Sequence, residues 1–276
     1  MNRRQFLATL SASALAGAHV RPVLAQPRAL TPIKFTLDFR VTSQTSPFFL
    51  ALAKGYYKEA GLDVSIDVGS ASITRVASGA YDLGLGDISS LVEFHAQSVG
   101  APVQAVYQYY NRAPFVIIGR KDRGITTDFA SLRGKRVAAA AVEATRRCWP
   151  MAARQLGVSP DLFQWITTDF STRDNVMVRG DVDAATYFHD SAVSLFARMP
   201  PQELAVLEYA RTGLALYGNA VLASRRLIAE KPAAVKAFLA ATNRALVETL
   251  ADPEPALAAI KAREAIIDLK VERARW

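Results

Sequence analysis

The chain has 276 residues, 51 % of them hydrophobic and 21 % charged, with a formal net charge of +8. That composition excludes a disordered chain and supports one large domain or two small ones with buried cores. Cys148 is the only cysteine, which excludes an intramolecular disulfide and a Cys-based zinc site.

Met1-Asn2-Arg3-Arg4-Gln5-Phe6-Leu7 precedes an apolar, alanine-rich stretch to Val20 and then Val23-Leu24-Ala25. The stretch is too short to span a bilayer stably and lies between a positive start and small residues, the pattern of a signal peptide cut after Ala25. The paired arginines resemble a twin-arginine export signal, with an ordinary secretory signal as the alternative. No cysteine follows, so a lipid anchor is not indicated. Losing residues 1–25 removes Arg3, Arg4 and Arg21 and no acids, which lowers the net charge to +5. Without long Lys/Arg runs or interleaved aromatic and basic stretches, no nucleic-acid partner is expected.

Ile33, Phe35 and Leu37 alternate with polar residues and predict a strand ending at Asp38-Phe39. Ser46-Pro47 opens a helix on which Phe48, Leu52 and Tyr56 recur, ending near Gly61. Strand 64–68, the small-residue turn Gly69-Ser70-Ala71-Ser72, a short helix, strand 83–86, helix 89–98 and strands 103–109 and 115–119 follow. A short helix ends at Gly134, strand 136–141 follows, and helix 145–156 comes next. Strand 163–167, helix 171–179, strand 184–188, helix 190–198 and strand 205–209 complete a second run. Strands alternating with helices point to parallel α/β sheets. Gly79-Ala80-Tyr81-Asp82 and Gly180-Asp181-Val182-Asp183 echo one another, each a glycine stop with an Asp three residues later before a small-residue strand. The echo supports two similar lobes, with the Gly180 region expected to supply a wall facing the Gly69–Ser72 turn.

Only His19, His95 and His189 are present, and Gly-x-Ser-x-Gly, His-Glu-x-x-His and Cys-x-x-Cys are all missing, so an enzyme is not expected. Nor does Gly69–Ser72 continue into a Walker loop or a dinucleotide fingerprint. What remains is a helix start able to hold a polar group, or one merely capped by Ser70 or Ser72. Loops 38–46, 87–89, 107–111, 142–147 and 187–190 fall at the carboxyl edge of the strands, where open α/β sheets collect ligands. Phe39, Tyr107, Tyr109, Tyr110, Trp149, Tyr187 and Tyr217 offer flat surface there, and Arg112, Arg146 and Arg147 could pair with an anion.

Leu37-Asp38-Phe39, the run from Ala53 to Leu62, Gly69-Ser70 with the run from Val76 to Gly84, and the run from Asp128 to Val137 occur in an order and spacing that is specific only when taken together. The segments Gly180 to Ala184, Leu216 to Asn219 and Lys231-Pro232 to Phe238 continue it. The chain resembles the sulfonate, nitrate and thiamine-pyrimidine branch of the periplasmic substrate-binding proteins. The resemblance implies an α/β fold of the type II periplasmic binding protein, two α/β lobes around a central cleft: lobe 1 over 31–118, lobe 2 over 119–219, and a return to lobe 1 over 220–276. It also implies a shortened first lobe, because relatives carry further helical sequence.

The positions matching the family's cleft are Asp38, Phe39, Gln44, Ser70, Ser72, Asp87, Glu143, Thr145, Tyr187 and Tyr217, with no catalytic residue, metal or cofactor. Phe39 replaces the usual tryptophan, and residues 42–45 lack the Asn-x-x-His-x-Gly pattern of the pyrimidine-binding members. The implied function is that of an exported, soluble, monomeric periplasmic receptor. It would deliver a small polar organic ligand, a thiamine-pyrimidine precursor first, to an ABC permease in the inner membrane. Aliphatic sulfonate, taurine or nitrate are the alternatives, followed by a pyrimidine-biosynthesis enzyme on the same fold and a receptor docking to a membrane sensor.

Overall fold

The structure, a computed structural model, describes residues 29–276, and the expected signal peptide at 1–25 lies outside them. The first lobe begins with β1 (Thr31–Thr36), α1 (Ser46–Ala53), α2 (Tyr56–Glu59), β2 (Leu62–Asp67), α3 (Ser72–Ala77), β3 (Leu83–Asp87), α4 (Ile88–Gln97) and β4 (Val103–Gln108). In β2 the alternation is strict: Leu62, Val64 and Ile66 are buried and the residues between them exposed, as a strand with one face on a core requires. The single helix expected from Ser46 to Gly61 is two, because Gly55 adopts φ +75°, a left-handed conformation that interrupts the helix.

The chain then crosses to a second sheet. β5 (Phe115–Arg120), β6 (Arg136–Ala139), α5 (Ala144–Arg147), α6 (Trp149–Leu156), β7 (Gln164–Thr167), α7 (Arg173–Arg179), β8 (Ala184–Phe188), α8 (Val193–Phe196) and β9 (Leu204–Glu208) build it. The expected helix 145–156 breaks at Cys148, since Pro150 has no amide hydrogen to continue the ladder. The short helix expected before Gly134 is a 3-10 turn over Phe129–Leu132, and the one expected over 190–198 reduces to a 3-10 turn plus α8. The return brings β10 (Asn219–Ser224), α9 (Arg225–Glu230), α10 (Pro232–Ala251), α11 (Glu254–Arg263) and α12 (Leu269–Arg275). Against the first sheet α10 sets Phe238, whose ring lies 5.0 Å from Tyr57 and 5.3 Å from Phe35.

The strand orders are β2-β1-β3-β10-β4 and β7-β6-β8-β5-β9. Neither sheet is all parallel, contrary to expectation: β10 runs antiparallel to β3 and β4, and β5 antiparallel to β8 and β9. Both strands follow a crossing between lobes, so they enter their sheet at the edge where the other strands end and must run the opposite way. Because β5 belongs to the second sheet, the outgoing crossing occupies 109–114 and not the 118/119 boundary read from the sequence. The two crossings are tied together, Gly218 N donating to Tyr110 O at 3.0 Å and Ala113 N to Leu216 O at 2.9 Å. The return segment does not stay with lobe 1, because Arg275 at the end of α12 donates to the Asp190 carbonyl in lobe 2 at 3.2 Å.

The glycine echo does a different job from the one expected. Gly79 and Gly180 both adopt left-handed φ, +79° and +78°. Asp82 then accepts from Lys34 N at 3.0 Å, and Asp183 accepts from Arg136 N at 2.8 Å. Each carboxylate accepts from an amide of the neighbouring parallel strand, Lys34 within β1 and Arg136 at the start of β6, and Gly180 does not line the cleft.

Candidate functional site

β1, β3 and β10 are neighbours, and the end of β1, the end of β3 and the beginning of β10 meet at one edge. Asp38 and Phe39 follow β1, Asp87 closes β3, and Asn219 opens β10 directly opposite Asp87 in the register. From the other lobe, Glu143 follows β6, Phe170 and Arg173 precede and open α7, Phe188 closes β8, and Asp190 follows it. Between the two edges lies a cavity of about 380 Å³ lined by all of these residues.

The wall from lobe 1 is rich in acceptors. Asn219 Nδ2 donates to Asp38 Oδ2 at 2.7 Å, which leaves Asn219 Oδ1 without a partner. Burial pushes the Asp38 carboxyl up to about 6; the Asn219 bond opposes the rise, and the charges of Asp87 and Asp190 add to it. Asp87 Oδ1 caps α4 by accepting from Ser90 N at 2.9 Å, while Oδ2 is buried without a partner. Burial lifts Asp87 to about 6 as well, against the hydrogen bonds from Ser90 and Ser89, and raises Asp190 in the same direction.

The wall from lobe 2 presents a cation. Arg173 Nη1 donates to Glu143 Oε1 at 2.9 Å, and both side chains are almost fully buried. Glu143 Oε2 also accepts from Thr186 Oγ1 at 2.7 Å. The Arg173 guanidinium lies 4.0 Å from the centre of the Tyr187 ring. At the mouth, Phe39 from lobe 1 meets Phe170 from lobe 2 edge to face, centroids 5.1 Å apart. Arg147 bridges back to Glu93 on α4 at 2.7 Å. These contacts hold the lobes together over the cavity.

The turn Gly69–Ser72 forms part of the lobe 1 wall. Ala71 lines the cavity and has φ +56°, the one positive φ outside glycine among the described residues. Behind it, a Cβ on Gly86 would lie 3.0 Å from Ser72 Oγ and 2.8 Å from Leu222 Cδ1, so glycine lets α3 sit close on β3.

Of the residues expected in the cleft, Asp38, Phe39, Gln44, Ser70, Ser72, Asp87 and Glu143 line the cavity. Thr145, Tyr187 and Tyr217 do not. Thr145 is buried behind the wall, its carbonyl accepting from Tyr209 OH at 3.0 Å. Tyr187 lies beneath Arg173 and donates to Asp174 Oδ1 at 2.8 Å, whereas Tyr217 is 58 % exposed on the returning crossing. Among the suggested arginines only Arg147 lines the cavity; Arg40 and Arg173 take that place instead. Asn219 and Asp190 sat at the ends of segments already singled out, Leu216 to Asn219 and Tyr187 to Asp190. Arg173 carried no signal beyond its place at the start of a helix. Neither His95 nor His189 lines the cavity, and no metal-holding group of His, Cys, Asp and Glu occurs among the described residues. Chemically, the lobe 1 edge offers hydrogen-bond acceptors at Asp87 and Asn219, and Arg40, Arg147 and Arg173 bring cations to the same cavity.

The periplasmic aliphatic sulphonate-binding protein SsuA of Escherichia coli has the same fold, with a TM-score of 0.71 at 19 % identity over 89 % of this chain and 82 % of its own. A 4-amino-5-hydroxymethyl-2-methylpyrimidine phosphate synthase of Candida albicans is 28 % identical over 239 residues, 82 % of this chain and 69 % of the relative. The synthase THI11 of Saccharomyces cerevisiae is 35 % identical over 108 residues, and that match spans 38 % of this chain and only 31 % of the yeast protein. Relatives with an enzyme's name overturn the exclusion of an enzyme drawn from the missing motifs, because motif absence tests only the chemistries that have short motifs. The family model described as NMT1/THI5 like matches residues 42–256, well over half of the sequence, and the chain therefore belongs to the NMT1/THI5-like family.

Proposed function

We propose that the cleft captures a flat nitrogen heterocycle of the aminopyrimidine type, and that the protein is an exported periplasmic receptor handing this ligand to an ABC permease. The observation that carries the reading is the acceptor row Asp38, Asn219 and Asp87, in which two acceptor atoms have no protein partner. An amino group beside a ring nitrogen complements a carboxylate, and the aromatic side chains Phe39, Tyr110, Phe170 and Phe188 suit its flat faces. Sulfonate, taurine and nitrate fit the lobe 1 edge less well, since each would set a negative group near the buried carboxyls of Asp38 and Asp87. The names of the relatives favour the same ligand class and a second role for it, as the product of a synthase.

Isothermal titration of the purified protein with 4-amino-5-hydroxymethyl-2-methylpyrimidine, an alkanesulfonate and nitrate tests the reading. Saturable binding of the pyrimidine alone is the expected result. Binding of the sulfonate or nitrate with no response to the pyrimidine overturns it. Mass analysis for a phosphorylated pyrimidine released by the isolated protein tests the second role.

A further inference from the structure

The geometry points to Arg173 as a specificity-determining residue that reads an oxygen acceptor on the ligand from lobe 2, with Glu143 acting only through it as a positioning residue. This rests on the aminopyrimidine reading and deepens it, because it assigns the opposite end of the ligand. Arg173 lines the cavity and is almost fully buried. Nη1 is the one guanidinium nitrogen that a hydrogen bond uses among the described residues, and Nε has no partner. A buried guanidinium has five N–H donors and no means of losing its charge, so donors left without acceptors are costly. At a cavity wall that capacity is met by a ligand oxygen.

Both oxygens of Glu143 are engaged by the protein, Oε1 by Arg173 and Oε2 by Thr186 and the Ala140 amide. Held on both oxygens, it serves to keep Arg173 in place. Its ion pair and the Tyr187 ring beneath fix the guanidinium plane, which is how a rigid fork selects an acceptor by position. The acceptors of lobe 1 and the guanidinium of lobe 2 line the same cavity from the two lobes. A ligand with N–H donors at one end and an oxygen at the other engages both lobes, and one lacking the oxygen engages only the first.

The test compares two probes on the intact protein: 4-amino-5-hydroxymethyl-2-methylpyrimidine, and the same pyrimidine with a plain methyl group replacing the hydroxymethyl. The wild type is expected to prefer the hydroxymethyl compound by roughly tenfold. Arg173→Lys is expected to cut that preference to under about twofold while still binding both, and Glu143→Gln to lower it in the same direction. A merely structural ion pair shifts the melting temperature and weakens both probes alike, leaving the ratio unchanged. Equal binding of the two probes by the wild type, a measurement that needs no variant, overturns the assignment alone. An unchanged ratio in Arg173→Lys does the same. Failure of the wild type to bind either probe overturns the aminopyrimidine reading and this assignment with it.

Discussion

Asn219 and Asp38 stand 181 residues apart in the chain, yet Asn219 Nδ2 donates to Asp38 Oδ2 at 2.7 Å at the edge of the first sheet. This bond opposes the burial that lifts Asp38 to about 6. Asn219→Asp replaces the donor with a second carboxyl, so the Asp38 carboxyl should titrate above its present value and pyrimidine affinity at pH 7.5 should fall roughly tenfold. Carbon-13 NMR titration of the Asp38 carboxyl checks the first effect, and an unchanged midpoint would refute it.

Asp87 sets a pH dependence of stability. Its folded value of about 6 lies above the ordinary 3.8, so the folded protein holds this proton more tightly than the unfolded chain. The stabilisation is complete below about pH 4 and is lost as pH rises through 6. Asp87→Asn keeps a side chain able to cap α4 and removes the buried charge. Denaturation in urea at pH 8 should show a gain on the order of 2 kcal/mol for the unliganded variant, shrinking toward zero at pH 4. A uniform gain or loss at both pH values would contradict this.

The Phe39–Phe170 contact spans the mouth of the cleft. Aromatic pairs contribute roughly 0.5–1.5 kcal/mol beyond the area they bury, so Phe170→Ala should weaken ligand binding about three- to tenfold. The change is expected in dissociation, because the ring pair forms when the lobes are together. Stopped-flow kinetics with equal dissociation rates for variant and wild type would rule out this role.

Arg275 and Glu272 form a nearly buried pair at 3.1 Å on α12, and Glu272 also accepts from Ser43 N at 2.6 Å. Arg275→Ala leaves Glu272 without its cation and should cost on the order of 3 kcal/mol. The double variant Arg275→Met, Glu272→Gln should recover most of that loss. Equilibrium unfolding of the two variants decides it: equal losses would mean that the unpaired charge is not the cause.

Much of the architecture was legible locally. The alternation in β1 and β2, the left-handed turns at Gly79 and Gly180, and the carboxyl-edge loops follow from periodicity and backbone sterics within a few residues. Edge placement is also why seven of the ten expected residues line the cavity. Tyr187 and Thr145 lie on the right elements, but their side chains face the interior of lobe 2, and nothing local distinguishes the two directions next to a strand end.

The sequence by itself determined two α/β units, the edge at which their loops gather, and the family they resemble, because each depends on short-range pattern. Only the tertiary structure decided the reversed directions of β5 and β10, the capture of Asp38 by Asn219, and the pairing that presents Arg173 to the cavity. Those outcomes depend on where the chain crosses between lobes and on which distant side chains then share a buried edge. A buried polar group must find a partner wherever the fold brings one, and periodicity carries no information about which one that is.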